Sequence, residues 1–297
     1  MTTNGSDQQT ITLEKGRTVF LDGLFGKNRS KATIRAYSAD VQQFIDWIKQ
    51  NNVTIVSPEE VQKVDILEYL SFLAKRDLTG VARERKMSAL REYFRFLEGV
   101  GYIHKSPTTG IDTPKREKNV RQYLRSDEYT KMLSLAGSNQ RDYAILQVFL
   151  QTGIRVSELA SLTIENIDFV KPAIKVVGKG RVEREIELEK KGVQALKSYL
   201  AIRPQSLTSN VFLNYKGEPI SERGIRKLVV KYRQEAGITK KGSVHTLRHT
   251  FATYKAEKGV SPFQLQQWLG HANLNTTQIY VHLGKQNAKK VMEQTSL

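Results

Sequence analysis

The sequence predicts a two-domain α+β protein, mainly α-helical with one small β-sheet. Three observations predict it. At 297 residues the chain exceeds one usual compact domain, and each half is long enough to bury its own core. Apolar residues between Ile34 and Leu97 recur at helical spacing without strand alternation. Two β-rich runs flank Gly178-Lys179-Gly180 in the second half, the pattern of a hairpin.

Residues 1–11 form a polar, acid-bearing segment that lacks the basic and apolar regions of a secretory signal, and they are expected to be a flexible tail. Residues 12–110 are expected to form an all-helical domain. Ser30 is placed to cap a helix over Ala32–Ile48, with Ile34, Tyr37, Val41, Phe44, Ile45 and Ile48 on one face. Helices over Val64–Ala74 and Val81–Leu97 follow, the latter with Leu90, Phe94 and Leu97 as its apolar stripe. Arg83, Arg85, Lys86, Arg91 and Arg95 crowd the faces that stripe leaves free, where they would neutralise phosphates in a DNA groove. Residues 111–124 read as a basic linker, punctuated by Pro114 and carrying Lys115, Arg116, Lys118 and Arg121. A basic linker suits a clamp that closes round a duplex.

Residues 125–297 make the second domain. Ser126-Asp127-Glu128 opens a helix, and a helix through Tyr143–Gln151 ends at Gly153. The strands Ala173–Val177 and Val182–Leu188 place Lys179 at a hairpin tip, and a short strand is expected over Val211–Asn214. A helix spans Pro262–Leu269. Beyond Gly284, residues 285–295 can form a short helix with Ala288, Val291 and Met292 as its stripe, which would dock into a neighbouring protomer.

Composition narrows the function. The chain has no cysteine, which excludes disulfide scaffolds, thiolate zinc sites and cysteine nucleophiles, and only five histidines remain for metal chemistry. The net charge of +17 points to a polyanionic partner. That excess lies in the second half: residues 1–113 hold 16 Lys and Arg against 14 Asp and Glu, while residues 114–297 hold 31 against 16. The apolar run Ala144–Leu150 is interrupted by Gln147 and is too short to cross a bilayer, so a soluble, cytoplasmic protein is expected.

Singly, the reactive residues are unremarkable: Arg155 could stand before a helix capped by Ser157, and Lys179 could be an ordinary turn lysine. Together, TGIRVSEL, then VGKG, then HTLRHTFAT, then LGHANLNTTQIYVH, in that order, resemble the tyrosine recombinase (phage integrase) family across the second half. The helical first half resembles the family's SAM-like core-binding domain in length and character, and the two-domain layout resembles its Xer-like members. The resemblance implies Tyr280 as nucleophile, Arg155 and Arg248 as the phosphate-binding pair and Lys179 as general acid. It further implies His245 and His271 as acid/base and hydrogen-bonding groups, with Glu158 orienting the site and His249 structural.

These residue types suit the chemistry. A phosphodiester repels nucleophiles and gathers charge on its non-bridging oxygens at the transition state, which planar, permanently charged guanidiniums answer. Tyrosine attack stores the bond as a 3'-phosphotyrosine, so neither ATP nor another cofactor is needed, and no metal site is expected. The expected function is site-specific recombination of double-stranded DNA through a Holliday junction. The expected assembly is a homo-tetramer, or a tetramer with a second recombinase, joined through the C-terminal helix. A type IB topoisomerase-like relaxing activity and a silent DNA-binding accessory protein are the alternatives.

Overall fold

The computed structural model describes residues 11–76, 78–112, 122–178, 183–240 and 242–270, and the chain divides into two units, Met1–Asn119 and Val120–Leu297. Among the described residues the first unit is helical throughout. It comprises α1 (Leu13–Gly26), α2 (Lys31–Asn51), a 3-10 turn at Pro58–Glu60, α3 (Lys63–Lys75) and α4 (Gly80–Gly99).

Local chemistry sets these boundaries. The hydroxyls of Thr12, Ser30 and Thr79 accept from the backbone N–H three residues on, at 3.2, 3.1 and 3.3 Å. Asp65 accepts at 2.8 Å from the N–H of Gln62 to start α3. The stripes expected on α2 and α4 face inward: Ile34, Val41, Phe44, Ile45, Ile48, Leu90, Phe94 and Leu97 are all buried. Edge-to-face aromatic pairs fill the centre, with ring centroids 5.2 Å apart for Phe44 and Tyr69 and 4.8 Å for Tyr93 and Phe94.

One residue of the expected groove face is turned the other way. Lys86 is buried, bonded to Gln43 and, at 2.9 Å, to Asp40, which is only 2% exposed and also pairs with Arg85. A carboxylate on the inner side of α2 must be neutralised to be buried, and Lys86 on α4 does this. Lys86 therefore crosslinks two helices instead of facing a groove.

The second unit is built around α6 (Gln140–Thr152), in which Ala144, Ile145, Leu146, Val148 and Phe149 are fully buried. Around it lie α5 (Ser126–Ala136), α7 (Val156–Ala160), α8 (Lys190–Ile202), α9 (Glu222–Glu235), α10 (Val244–Glu257) and α11 (Pro262–Leu269). The strands β1 (Ile167–Asp168), β2 (Ala173–Val177) and β3 (Glu183–Glu187) form an antiparallel sheet in that order, with Val177 opposite Glu183. Lys179 lies in the connection 178–182; residues 179–182 are outside the described residues, as are the linker candidates Lys115, Arg116 and Lys118.

One local expectation is corrected. Val211–Asn214 is not a strand: Leu213 makes an isolated bridge with Pro219, and the preceding Asn210 makes another with Thr163. The pairing is confined to that bridge, flanked by Ile220 N–H to Phe212 at 3.0 Å and Asn214 N–H to Glu218 at 2.7 Å, because the chain turns at once with Gly217 N–H donating to Asn214 at 3.1 Å. The N-cap of α7 is Arg155, whose N–H donates to Glu158 at 2.7 Å. Among the described residues no helix is long and apolar enough to cross a membrane.

Candidate active site

Two left-handed glycines place the site. Gly153 (φ +59°) ends α6 and turns the chain so that Ile154 enters the core and Arg155 stands at the start of α7. A Cβ at Gly153 would lie 2.4 Å from the Phe251 ring, so glycine is required for both backbone and space. Gly270 (φ +59°) ends α11.

The last carbonyls of a helix lack intrahelical donors and carry the negative end of its dipole. Here three guanidiniums supply the donors. Arg184 donates through Nε to the Trp268 carbonyl at 2.7 Å, Arg248 through Nη2 to Leu269 at 2.5 Å, and Arg155 through Nη2 to Gly270 at 2.7 Å. Arg248, on α10 and 7% exposed, also donates to the Gly153 carbonyl at 2.7 Å, joining the ends of α6 and α11.

Glu158 ties the arginines together from behind. Its Oε1 accepts from Arg155 Nη1 at 2.8 Å and Arg184 Nη1 at 3.0 Å. Its Oε2 accepts from the Arg155 N–H at 2.7 Å and Arg184 Nη2 at 2.8 Å. Burial alone would raise this carboxyl's pKa, but the bonds and charge of Arg184 and Arg155 outweigh it, and the group is held below its ordinary value.

His245 opens α10 on the exposed side, one turn before Arg248. Partial desolvation, then the positive charges of Arg226, Arg248 and Arg155, lower its pKa, so it stays neutral near pH 7. Arg155 and Arg248, on the adjacent carbonyls of Gly270 and Leu269, are both close enough for their charge to act on this imidazole. Lys179, His271 and Tyr280 lie outside the described residues, although His271 directly follows the Gly270 whose carbonyl Arg155 holds. His249 is half-buried on α10. Among the described residues no group of three or more His, Asp or Glu side chains could hold a metal ion.

Sequence reasoning overlooked Arg184. The signal was present in Glu183-Arg-Glu-Ile-Glu187: alternation puts Arg184 on the same face as buried Ile186, so a charge points inward and must find a partner. In the first unit, Arg95 is exposed beside Glu92, Arg83 is half-buried and Arg91 donates to the Ile111 carbonyl.

A SAM-like helical unit followed by a mixed unit with clustered arginines defines a class of DNA strand-exchange enzymes, and comparison with known proteins agrees. Residues 122–287 match the phage integrase family and residues 18–99 match the phage integrase N-terminal SAM-like domain. The tyrosine recombinase XerC of Thermodesulfovibrio yellowstonii is 36% identical over 283 residues, covering 91% of each chain. The tyrosine recombinase XerD of Listeria innocua is 33% identical over 278 residues, covering 90% of this chain and 93% of that one. Among solved structures, XerH site-specific recombinase bound to its palindromic difH substrate aligns with TM-score 0.76 at 22% identity, over 95% of this chain and 84% of that one. A lambda integrase dimer bound to a COC' core site gives 0.74 at 20%, over 90% and 97%. The chain belongs to the phage integrase family, the tyrosine recombinases.

Proposed function

We propose that this enzyme recombines double-stranded DNA at specific sites, through a 3'-phosphotyrosine on Tyr280 and a Holliday junction. The observation that carries the reading is the pair Arg155 and Arg248, fixed on adjacent carbonyls of α11 and ahead of the segment that holds Tyr280. Fixed guanidiniums stabilise the non-bridging oxygens of a phosphorane without reorganising as its charge develops.

The Tyr280 oxygen attacks phosphorus, a phosphorus–oxygen bond forms, and the bond to the 5'-oxygen breaks. Lys179 protonates the departing oxygen, and the neutral imidazole of His245 accepts the tyrosine's proton. His271 hydrogen-bonds the phosphate, and Glu158 keeps Arg155 oriented. Attack by the 5'-hydroxyl of a partner strand reverses the step on a new molecule, so bond energy is conserved.

Arg83, Arg85, Arg91 and Arg95 on α4, with Lys115, Arg116 and Lys118, contact backbone phosphates. Arg85 can leave Asp40 for a phosphate because Lys86 still neutralises that carboxylate. A tetramer on two duplexes, joined by the helix at residues 285–295, is supported by a cleft of about 800 Å³ between α5, α6 and α10. Tyr129, Leu133, Leu150 and Phe251 line it beside Gln147, Gln151, Glu189 and Lys255, a mixed wall whose apolar part would receive Ala288, Val291 and Met292. A related lambda integrase forms a tetramer bound to a Holliday junction, with TM-score 0.74 at 20% identity, over 91% of this chain and 80% of that one.

The test is joining of two different duplexes that carry a site isolated by binding selection from a randomised pool. Recombinant strands with ends from both duplexes support the reading. Relaxation of a supercoiled circle with no joining would support the topoisomerase-like alternative.

A further inference from the structure

Two guanidiniums of unequal exposure share Glu158. Its side chain is 4% exposed, that of Arg155 is 33% exposed and that of Arg184, on β3, is 11% exposed. Arg155 bonds the carboxylate through Nη1 and its backbone N–H, while Arg184 bonds both oxygens, at 3.0 and 2.8 Å. The third nitrogen of Arg184 donates to the Trp268 carbonyl at 2.7 Å, so this guanidinium is enclosed by protein and Arg155 is the more open of the two. Burial would drive Glu158 towards its neutral form, and Arg184 is the foremost group that holds it charged.

We propose that Arg184 is a positioning residue that acts through Glu158, offsetting the carboxylate so that Arg155 stays oriented by it and still presents a positive charge to the scissile phosphate. The role rests on Arg155 being a phosphate-binding residue, and it follows from a count of charges. A carboxylate facing one guanidinium makes a neutral pair; facing two, it leaves one positive charge over. Glu158 orients Arg155 by accepting its N–H groups, and the same contact would cancel the charge for which an arginine is needed there. Charges at hydrogen-bond range interact more strongly inside a protein than in water, so that cancellation would be felt at the phosphate. A second guanidinium on the same carboxylate removes the conflict.

The experiment measures single-turnover cleavage of a nicked duplex of the selected site, with a phosphodiester or a methylphosphonate at the scissile position, and takes the ratio of the two rates for each protein. A methylphosphonate lacks one charged non-bridging oxygen, so a fault in charge neutralisation shrinks on it. A fault in folding slows both substrates and leaves the ratio unchanged. Arg155→Ala sets the scale: the diastereomer on which it loses least carries its methyl where Arg155 would meet oxygen. Against that diastereomer the ratio should fall about 10- to 100-fold in Arg184→Gln and Arg184→Met, one order less than outright removal of a transition-state donor. Arg184→Lys keeps a positive charge beside Glu158, and its ratio should stay within about threefold of the unaltered protein's, the spread of a near-neutral change. Arg184→Met carries the reading if Arg184→Gln does not fold.

An unchanged ratio in the neutral variants, beside a lowered one in Arg155→Ala, overturns the inference and leaves Arg155 as a phosphate-binding residue. A fall in Arg184→Lys as large as in Arg184→Gln makes the planar fork decisive in place of the charge, and overturns it as well. If Arg155→Ala keeps its ratio on both diastereomers, the phosphate-binding reading itself fails and the inference goes with it.

Discussion

Three consecutive carbonyls at the end of α11 each receive a guanidinium, and each arginine comes from a different element. A charge-assisted hydrogen bond contributes about 1.5–3 kcal/mol, so the cluster is rigid before any phosphate arrives. Arg248 bonds two carbonyls with two nitrogens of one planar, delocalised fork, whose spacing and fixed plane a lysine's compact ammonium does not match. Arg248→Lys should therefore lower single-turnover cleavage roughly 100- to 1,000-fold while duplex binding in a gel-shift assay changes little. His245 offers a pH test. Its pKa is lowered in the folded protein, so the unfolded chain binds the extra proton first. Its contribution to stability is therefore present above the unfolded value and lost progressively as pH falls from there through the lower folded value. An NMR titration of the free protein should find this imidazole titrating below the ordinary 6.5. Duplex phosphates should move it upward by offsetting the arginine charges.

At the scale of elements, glycine and buried charge decide what holds. Gly153→Ala sets a side chain into left-handed backbone and against Phe251, and should lower unfolding free energy by at least about 2 kcal/mol in a denaturant titration. Asp40→Ala strands Lys86 inside the first unit and should cost about 3–5 kcal/mol. Lys86→Met should cost less, because Arg85 still neutralises Asp40. The helices were legible where pattern and cap agreed: Ser30 heads α2, Pro262–Leu269 is α11, and Ala173–Val177 pairs with the segment beginning at Glu183. Reading failed where the deciding contact is distant in sequence. Nothing near Lys86 announces Asp40 as its partner, and nothing near Glu158 announces Arg184. The Val211–Asn214 run has strand composition, yet it pairs through the Leu213–Pro219 bridge alone, because the chain reverses directly after Asn214. Arg155 and Arg248 were found through motif order, whereas the carbonyls that aim them belong to Leu269, Gly270 and Gly153, whose role no side chain displays.

Across the whole molecule, the two units bury separate apolar cores, one around Phe44 and Tyr93 and the other around Phe149 and Leu196. The basic excess lies in residues 114–297, so a fragment of residues 122–297 should bind duplex DNA with a steeper fall of log K against log salt than one of residues 11–112. Each phosphate neutralised contributes a slope of about −0.9. Chemistry remains the central claim. It is tested most directly by incubating the protein and its Tyr280→Phe variant, in chelator, with a nicked duplex of the selected site, then denaturing and looking for a protein-DNA adduct. If Tyr280 is the nucleophile, an adduct forms with the unaltered protein and none with the variant. If both proteins bind the duplex and neither forms an adduct, or if the variant forms one as readily, Tyr280 is not the nucleophile and the account is contradicted.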